Sequence, residues 1–258
     1  MKRVIVTGAG GQFGQTLVEK ALFYENFHID AKTAEELNIS DVASINEAFK
    51  KGNYDFCINC AAYTNVEQAE KTPDIAFKVN TEGVKNLALA CKEYGTTLIQ
   101  ISTDYVFDGE KESPYTVGDP TNPINEYGKS KLKGEEYIRQ IWDNHFIIRT
   151  SWLYSKKFGH NFYRTILEKA KRGENIHVTD SQKGCPTNAE NLAKYIFGEV
   201  LTGNIEFGTH HFTDGKPMTW YDFAREILDE NGLSDKVHLV LDRNYRTFAK
   251  RPKNSVLI

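Results

Sequence analysis

The chain has 258 residues, with 32 Lys and Arg against 35 Asp and Glu, a formal charge of −3. That length allows one large α/β domain, or one with an added lobe, and needs no disulfide or metal to hold a core. The near-neutral balance argues against a nucleic-acid binder driven by a basic surface, and charged and hydrophobic shares of 26% and 40% against a disordered chain. Apolar runs such as Val4 to Val6 fall far short of the roughly 20 residues a bilayer span needs, and the start is too short in apolar residues for a secretory leader. A cytoplasmic protein is expected, and four cysteines do not make a disulfide scaffold.

In chain order, Arg3 to Thr7 is a short β-branched run ending at Gly8 and fits a buried strand. Gln12 to Leu22 carries Phe13, Leu17, Val18 and Ala21 at helical spacing. Phe27 to Asp30 is a second strand, and Ser40 or Asp41 caps a helix through Lys50. Tyr54 to Ala62 is nearly all apolar, as suits a strand covered on both faces. Asp74 to Tyr94 reads as one long helix stopped by Gly95, and Thr97 to Thr103 as a strand. After a Pro, Gly and Asp-rich loop from Asp108 to Pro123 come a helix, Glu126 to Trp142, and a strand, His145 to Thr150. The β-α-β-α rhythm predicts an α/β fold, a Rossmann-like doubly wound parallel sheet with helices on both faces.

Beyond Tyr154 the pattern loosens. Helices are predicted over Asn161 to Arg172, Asn188 to Leu201 and Trp220 to Glu230, and strands over Ile176 to Thr179, His210 to Thr213 and Val237 to Leu241. The expected division is a dinucleotide-binding domain, 1–154, and a mainly substrate-binding lobe, 155–258, interleaved with the first and joined without a flexible linker.

Gly8, Gly11 and Gly14 recur every third residue between a predicted strand and helix. That context makes the loop a dinucleotide site: Gly8 for the turn, Gly11 for approach to a pyrophosphate, Gly14 for close helix packing. The free N–H groups at the helix start favour phosphate. Asp30, about 20 residues on, is placed at the adenosine ribose. An acid there suits NAD, while Lys32 offers a partner for a 2′-phosphate, so both cofactors stay open.

Tyr127 and Lys131, four apart at the start of a helix, share one face. An ammonium beside a phenol favours the phenolate, so Lys131 is expected to lower the pKa of Tyr127 and fit it for proton transfer to a carbonyl oxygen. Thr103 ends a parallel strand at the side where ligands bind in such sheets. A capping role for its hydroxyl is the plainer alternative.

These residues, with Asn59-Cys60-Ala61-Ala62 and Val79-Asn80-Thr81-Glu82-Gly83, resemble an extended short-chain dehydrogenase/reductase. Ser102-Thr103-Asp104-Tyr105, Arg149-Thr150-Ser151-Trp152, Asn161-Phe162, Gly184-Cys185-Pro186-Thr187 and Arg251-Pro252-Lys253-Asn254-Ser255 narrow it, and Lys2 to Leu257 is similar to dTDP-4-dehydrorhamnose reductases. The resemblance implies NADPH- or NADH-dependent reduction of a 4-keto dTDP-sugar, with Tyr127 as proton donor and Thr103 and Lys131 assisting. It places the cofactor against Gly8, Gly11, Gln12, Phe13, Gly14, Asp30, Asn38, Ile39, Ala61, Ala62, Tyr63, Thr64, Tyr127 and Lys131. It places the sugar against Thr103, Asp104, Tyr105, Trp152, Asn161 and Arg251. Asn38 departs from the family's usual acid near the adenine, and Ser181 replaces an acid before Gln182.

The resemblance further implies a homodimer, in some relatives with a divalent metal between subunits, though no ligand cluster in the sequence argues for one. Relatives usually continue through a further C-terminal helix, so the substrate lobe is expected to lack its last cover.

Other residues carry weaker signals. Cys57 and Cys60 read as core rather than as a redox or metal pair. Trp152 is core or ligand platform, and Arg251 a phosphate contact or a solvated tail. Arg149 is expected to be paired or at a strand end. Two other functions compete with the reductase. A non-catalytic dinucleotide-binding subunit, as in the regulatory subunit of methionine adenosyltransferase, has no chemical need for Thr103, Tyr127 and Lys131 together. An epimerase would retain its NAD. Tyr105 stands where sugar dehydratases carry a Glu, which argues against that chemistry.

Overall fold

A computed structural model describes residues 1–258. The chain begins with β1 (Lys2–Thr7), α1 (Gln12–Ala21), β2 (Phe27–Lys32), α2 (Val42–Gly52) and β3 (Phe56–Asn59). It continues with α3 (Val66–Lys71), α4 (Pro73–Phe77), α5 (Val84–Tyr94), β4 (Thr97–Thr103), α6 (Glu126–Ile141) and β5 (His145–Thr150). Then come β6 (Leu153–Tyr154), α7 (Phe162–Lys171), β7 (Ile176–Val178), β8 (Lys183–Gly184), β9 (Thr187–Asn188) and α8 (Ala189–Tyr195). Last are β10 (Gly208–His211), β11 (Met218–Thr219), α9 (Trp220–Glu230) and β12 (Leu239–Leu241). No helix is long and apolar enough to cross a membrane.

Six strands form one parallel sheet in the order β10-β5-β4-β3-β1-β2. The chain winds one way from β1 to β2 and the other way from β1 to β3, so the switch point lies between β1 and β3. Ligands bind at that crevice, beyond the carboxyl ends of the strands. Alternation along each strand splits the core in two. Val4, Val6, Ile58, Ile99 and Ile148 meet α1 and α8 on one face. Ile5, Cys57, Leu98 and Ile147 meet α2, α5 and α6 on the other. Each fully buried aliphatic side chain here contributes about 1.5–3 kcal/mol.

The stretch after Tyr154 divides. α8 packs on α1, and β10 extends the main sheet beside β5. α7, α9, β7 and β12 enclose a separate core of Tyr163, Ile166, Phe223 and Ile227. The C-terminal segment then returns to the first domain, where Leu257 bridges to Tyr115 and packs on Phe107.

Several boundaries differ from expectation. The strand expected over Tyr54 to Ala62 shrinks to β3, because only those residues find a partner on each side, in β1 and β4; from Cys60 the chain leaves the sheet. The helix expected over Asp74 to Tyr94 contains a π-helical segment, Lys78–Gly83, between α4 and α5. Side chains account for the wider turn: Asn80 bonds both backbone groups of Tyr63, and Thr81 donates to the carbonyl of Ser130 at 2.8 Å. The helix expected over Asn188 to Leu201 likewise continues from α8 as a π segment, Ile196–Val200. α3 and the two-residue strands β6, β8, β9 and β11 had no periodic signal to announce them.

Candidate active site

The glycine loop joins β1 to α1. Gly8 has φ +65, and a side chain there would fall 2.5 Å from the backbone N of Ala61, so β1 and the β3 exit approach as closely as their main chains allow. A side chain at Gly14 would lie 2.5 Å from the Gly8 carbonyl oxygen. Close packing of the helix on the turn therefore depends on that missing Cβ. The N-terminus of α1 has no side-chain cap and no acidic residue in its first turn, and Gly10, Gly11, Gln12 and Phe13 open into a cleft of about 550 Å³. That uncapped turn suits a pyrophosphate. A buried polar relay supports the loop from below: Thr7 donates to Asn59 at 2.6 Å, and Asn59 to Gln100 at 2.7 Å.

The opposite wall comes from β4 and α6. Thr103 is the last residue of β4 and caps a single 3-10 turn, Asp104–Val106, accepting from the Tyr105 N–H at 3.2 Å. The plain capping role and the position facing the cleft therefore hold together. Asn125 caps α6, accepting from the Gly128 N–H at 2.7 Å and donating to the Lys250 carbonyl at 2.8 Å. This fixes the first turn, on which Tyr127 and Lys131 project into the cleft. Lys131 is buried and donates to the Ile101 carbonyl at 2.7 Å.

The electrostatics correct one expectation. Lys131 does not pull the Tyr127 phenol down in this arrangement. Desolvation holds the phenol well above its ordinary range, and the Thr103 hydroxyl opposes it. A protonated phenol is what a proton donor requires. Burial lowers Lys131 to about 8, against the pull of Glu135.

Asp104 is buried beside them. Its carboxyl accepts from Thr103 at 3.1 Å and Ser151 at 3.0 Å, and from Ser255 of the C-terminal segment. Desolvation raises it to about 6 in spite of these hydroxyls. Tyr105 meets Tyr127 edge to face, and the Arg251 guanidinium lies beside its phenol. Arg251 lines the cleft and is no solvated tail: it pairs with Glu67 of α3 at 2.8 Å, while its buried Nε has no protein partner. Trp152 holds φ +47, rare for a bulky residue, and stacks on Trp220 at 3.5 Å between ring centroids. Trp152 is thus both a packing residue and a wall of the cleft.

The cleft gathers Gly11, Gln12, Phe13, Ala62, Thr64, Thr103, Asp104, Tyr105, Tyr127, Lys131, Trp152 and Arg251. Other expected residues lie elsewhere. Gly8 and Gly14 shape the loop from behind. The Ala61 N–H is bound to Asn59 at 3.1 Å, and both backbone groups of Tyr63 to Asn80. Ile39 is buried in the α2–α5 core, and Asn38 caps its own turn, accepting from the Ser40 N–H. Asn161 caps α7 and donates to Gln12 at 3.1 Å, which ties the lobe to the glycine loop.

Asp30 sits opposite Ile5, two residues before the end of β2. Its carboxylate is taken by Lys32, at 2.9 Å, and by the Tyr54 hydroxyl. Lys32 instead occupies the strand end opposite Thr7, and its carbonyl accepts from the Ala9 N–H of the glycine loop at 2.9 Å. Sequence reasoning missed Val66, His160 and Trp220 as cleft residues, and placed Cys60 in the core although it also lines the cleft. Trp220 had one available signal, its place at the start of a strongly amphipathic helix. No group of three or more His, Cys, Asp or Glu side chains is gathered to hold a metal.

The family model described as RmlD substrate binding domain matches residues 1–258. The chain belongs to this family. Among curated relatives, it is 36% identical to a dTDP-4-dehydrorhamnose reductase of Aggregatibacter actinomycetemcomitans, covering 100% of this chain and 90% of that one. It is 37% identical to the spore coat polysaccharide biosynthesis protein SpsK of Bacillus subtilis, covering 100% and 89%. The crystal structure of a dTDP-4-dehydrorhamnose reductase from Bacillus anthracis in complex with NADP superimposes with a TM-score of 0.94 at 36% identity, over 100% of this chain and 91% of that one. This RmlD family member is therefore an oxidoreductase with a Rossmann-like fold that uses a nicotinamide cofactor. A UDP-glucose 4-epimerase from Thermus thermophilus matches with a TM-score of 0.81 at 20% identity, a likeness of fold alone.

Proposed function

We propose that the protein reduces the 4-keto group of dTDP-6-deoxy-L-lyxo-4-hexulose to give dTDP-L-rhamnose, a deoxysugar donor for cell-surface polysaccharide. The observation that carries this reading is the convergence of Thr103, Tyr127 and Lys131 on one cleft with the uncapped start of α1. Residues 1–154 supply the dinucleotide side and the reacting groups, and 155–258 add Gly159, His160, Trp220 and Arg251 to the cleft. A reduced nicotinamide, when bound, supplies hydride to the carbonyl carbon. Tyr127 gives its proton to the carbonyl oxygen, which would otherwise collect negative charge. Thr103 steadies the phenolate left behind, and Lys131 adds a buried positive charge on the same side. Gly11, Gln12 and Phe13 hold the pyrophosphate. Tyr105, Trp152 and Arg251 bound the sugar nucleotide, with the guanidinium available to a phosphate. NADPH or NADH serves as hydride source, and Lys32 at the end of β2 supports NADPH.

The test mixes the purified protein with the 4-keto sugar nucleotide, made in situ, and follows absorbance of NADPH or NADH. Stoichiometric oxidation that falls about a thousandfold in Tyr127→Phe, with little change in KM, is expected for loss of a general acid. No oxidation of either cofactor overturns the reading. Tightly held cofactor without net turnover would instead indicate an epimerase.

A further inference from the structure

Asp104 does more in this structure than face a substrate. Its two carboxyl oxygens are engaged by hydroxyls from three segments: Thr103 at the end of β4, Ser151 after β5, and Ser255 near the C-terminus. The chain thus returns from residue 255 to bind this one side chain. Thr103 in turn touches three groups. Its hydroxyl meets the Asp104 carboxyl and the Tyr105 N–H, and it faces the Tyr127 phenol. A hydroxyl has one proton to give and two lone pairs. The Tyr105 N–H occupies one lone pair in every case, so Asp104 and Tyr127 compete for the proton and the remaining lone pair.

Two arrangements satisfy every group. With Asp104 ionised, Thr103 donates to Asp104 and accepts from Tyr127, which turns the phenolic proton toward Thr103. With Asp104 protonated, Asp104 donates to Thr103 and Thr103 donates to the phenol oxygen. The phenolic proton is then free to point into the cleft, and the phenolate left after transfer already has a donor. We propose that Asp104 is a positioning residue which, through the Thr103 hydroxyl, sets whether the Tyr127 proton is aimed at Thr103 or at the substrate. This rests on Tyr127 being the proton donor.

The surroundings let one proton decide the matter. The titratable groups facing Asp104 are Tyr105 on its own turn, Tyr127 from α6 and Cys185 from the lobe. Of the cleft cations, Arg251 is directed to Tyr105 and Glu67, and Lys131 to the Ile101 carbonyl. No salt bridge therefore holds Asp104 ionised, and burial brings its titration to about 6, within the working range of a protein.

Asp104→Asn and Thr103→Val test this. In the wild type, kcat is expected to fall about tenfold as pH rises through about 6, the rate equivalent of one hydrogen bond set wrongly. In Asp104→Asn, whose amide can donate to Thr103 at any pH, the step disappears, KM stays within about twofold, and kcat above that pH exceeds the wild-type value. A step that persists in Asp104→Asn, or a rise in KM with kcat unchanged, overturns the proposal in favour of a direct substrate contact. A second measurement needs no turnover. The ring-carbon NMR signal of Tyr127, assigned by its loss in Tyr127→Phe, is followed in the NADP+ complex across the same interval. The proposal expects a pH-dependent shift in the wild type and none in Asp104→Asn or Thr103→Val. The same shift in all three proteins, or none in the wild type, ends it. Failure of the reductase reading shows separately, as wild-type protein that oxidises neither cofactor.

Discussion

The Lys131 ammonium donates to the carbonyl of Ile101 at 2.7 Å, from a position one helical turn beyond Tyr127. The backbone of β4 therefore fixes this cation in the cleft floor, with the helix cap at Asn125 setting the register.

Burial lowers Lys131 to about 8. The proposed role needs the charged form, so kcat/KM is expected to decline as pH rises through about 8, separately from any step near 6. Lys131→Met should lose about a hundredfold or more in kcat/KM at neutral pH, with the alkaline limb gone. The sign for stability is opposite. A lysine whose folded pKa is depressed destabilises the folded state below that pKa, and the penalty lifts as pH rises through about 8 toward 10.5. Activity and thermal unfolding measured over one pH series check both directions.

Asp104 gives a second stability test. Its folded pKa of about 6 stands above the ordinary 3.8, so its ionisation weakens the folded state. The penalty is full above about 6 and fades as pH falls toward 3.8. Asp104→Asn should therefore stabilise the protein by up to roughly 3 kcal/mol at neutral pH and by little in acid. Urea denaturation at two pH values decides it, and equal midpoints at neutral pH would contradict it.

Gly184 meets the face of Trp152. A Cβ there would fall 2.6 Å from the indole Cε2. The indole cannot retreat easily, since it is stacked on Trp220 and its backbone already holds φ +47. Gly184→Ala is expected to cost about 1–3 kcal/mol and to raise KM for the sugar nucleotide about tenfold. NADP+ affinity should change less, because the added methyl is aimed at the Trp152 indole and not at the glycine loop. Steady-state kinetics and cofactor titration separate the two effects.

Glu135 lies fully buried under the site. Burial pushes its carboxyl up, but Arg149 at 2.7 Å, Ser102 at 2.5 Å and Arg139 at 3.1 Å together hold it below its ordinary range. Glu135→Ala strands the buried Arg149 guanidinium and should destabilise by about 3–5 kcal/mol. Glu135→Ala combined with Arg149→Met should recover part of that loss, since the stranded charge is gone. Chemical denaturation of both variants measures the difference.

The sequence by itself determined five of the six strands of the sheet, most helix boundaries, the glycine loop and the Tyr127–Lys131 pair; β10 joined the sheet only in the fold. Those features rest on local order: side-chain alternation along a strand, apolar spacing along a helix, the turn only glycine allows, and the meeting of residues four apart on one helical face. The tertiary structure alone decided which side chains are available to a ligand. Asp30 stood at the expected distance from the loop, yet Lys32 and Tyr54 occupy its carboxylate. Asn161 matched a substrate position, yet its amide is spent on Gln12 and the cap of α7. Glu67 lay in a helix with no periodic signal, yet it anchors Arg251 from across the chain. Ser255 became a partner of Asp104 only when the C-terminal segment folded back. Such contacts join segments far apart in sequence, so no local spacing encodes them. They are set by packing, and by the need of every buried polar group to find a partner.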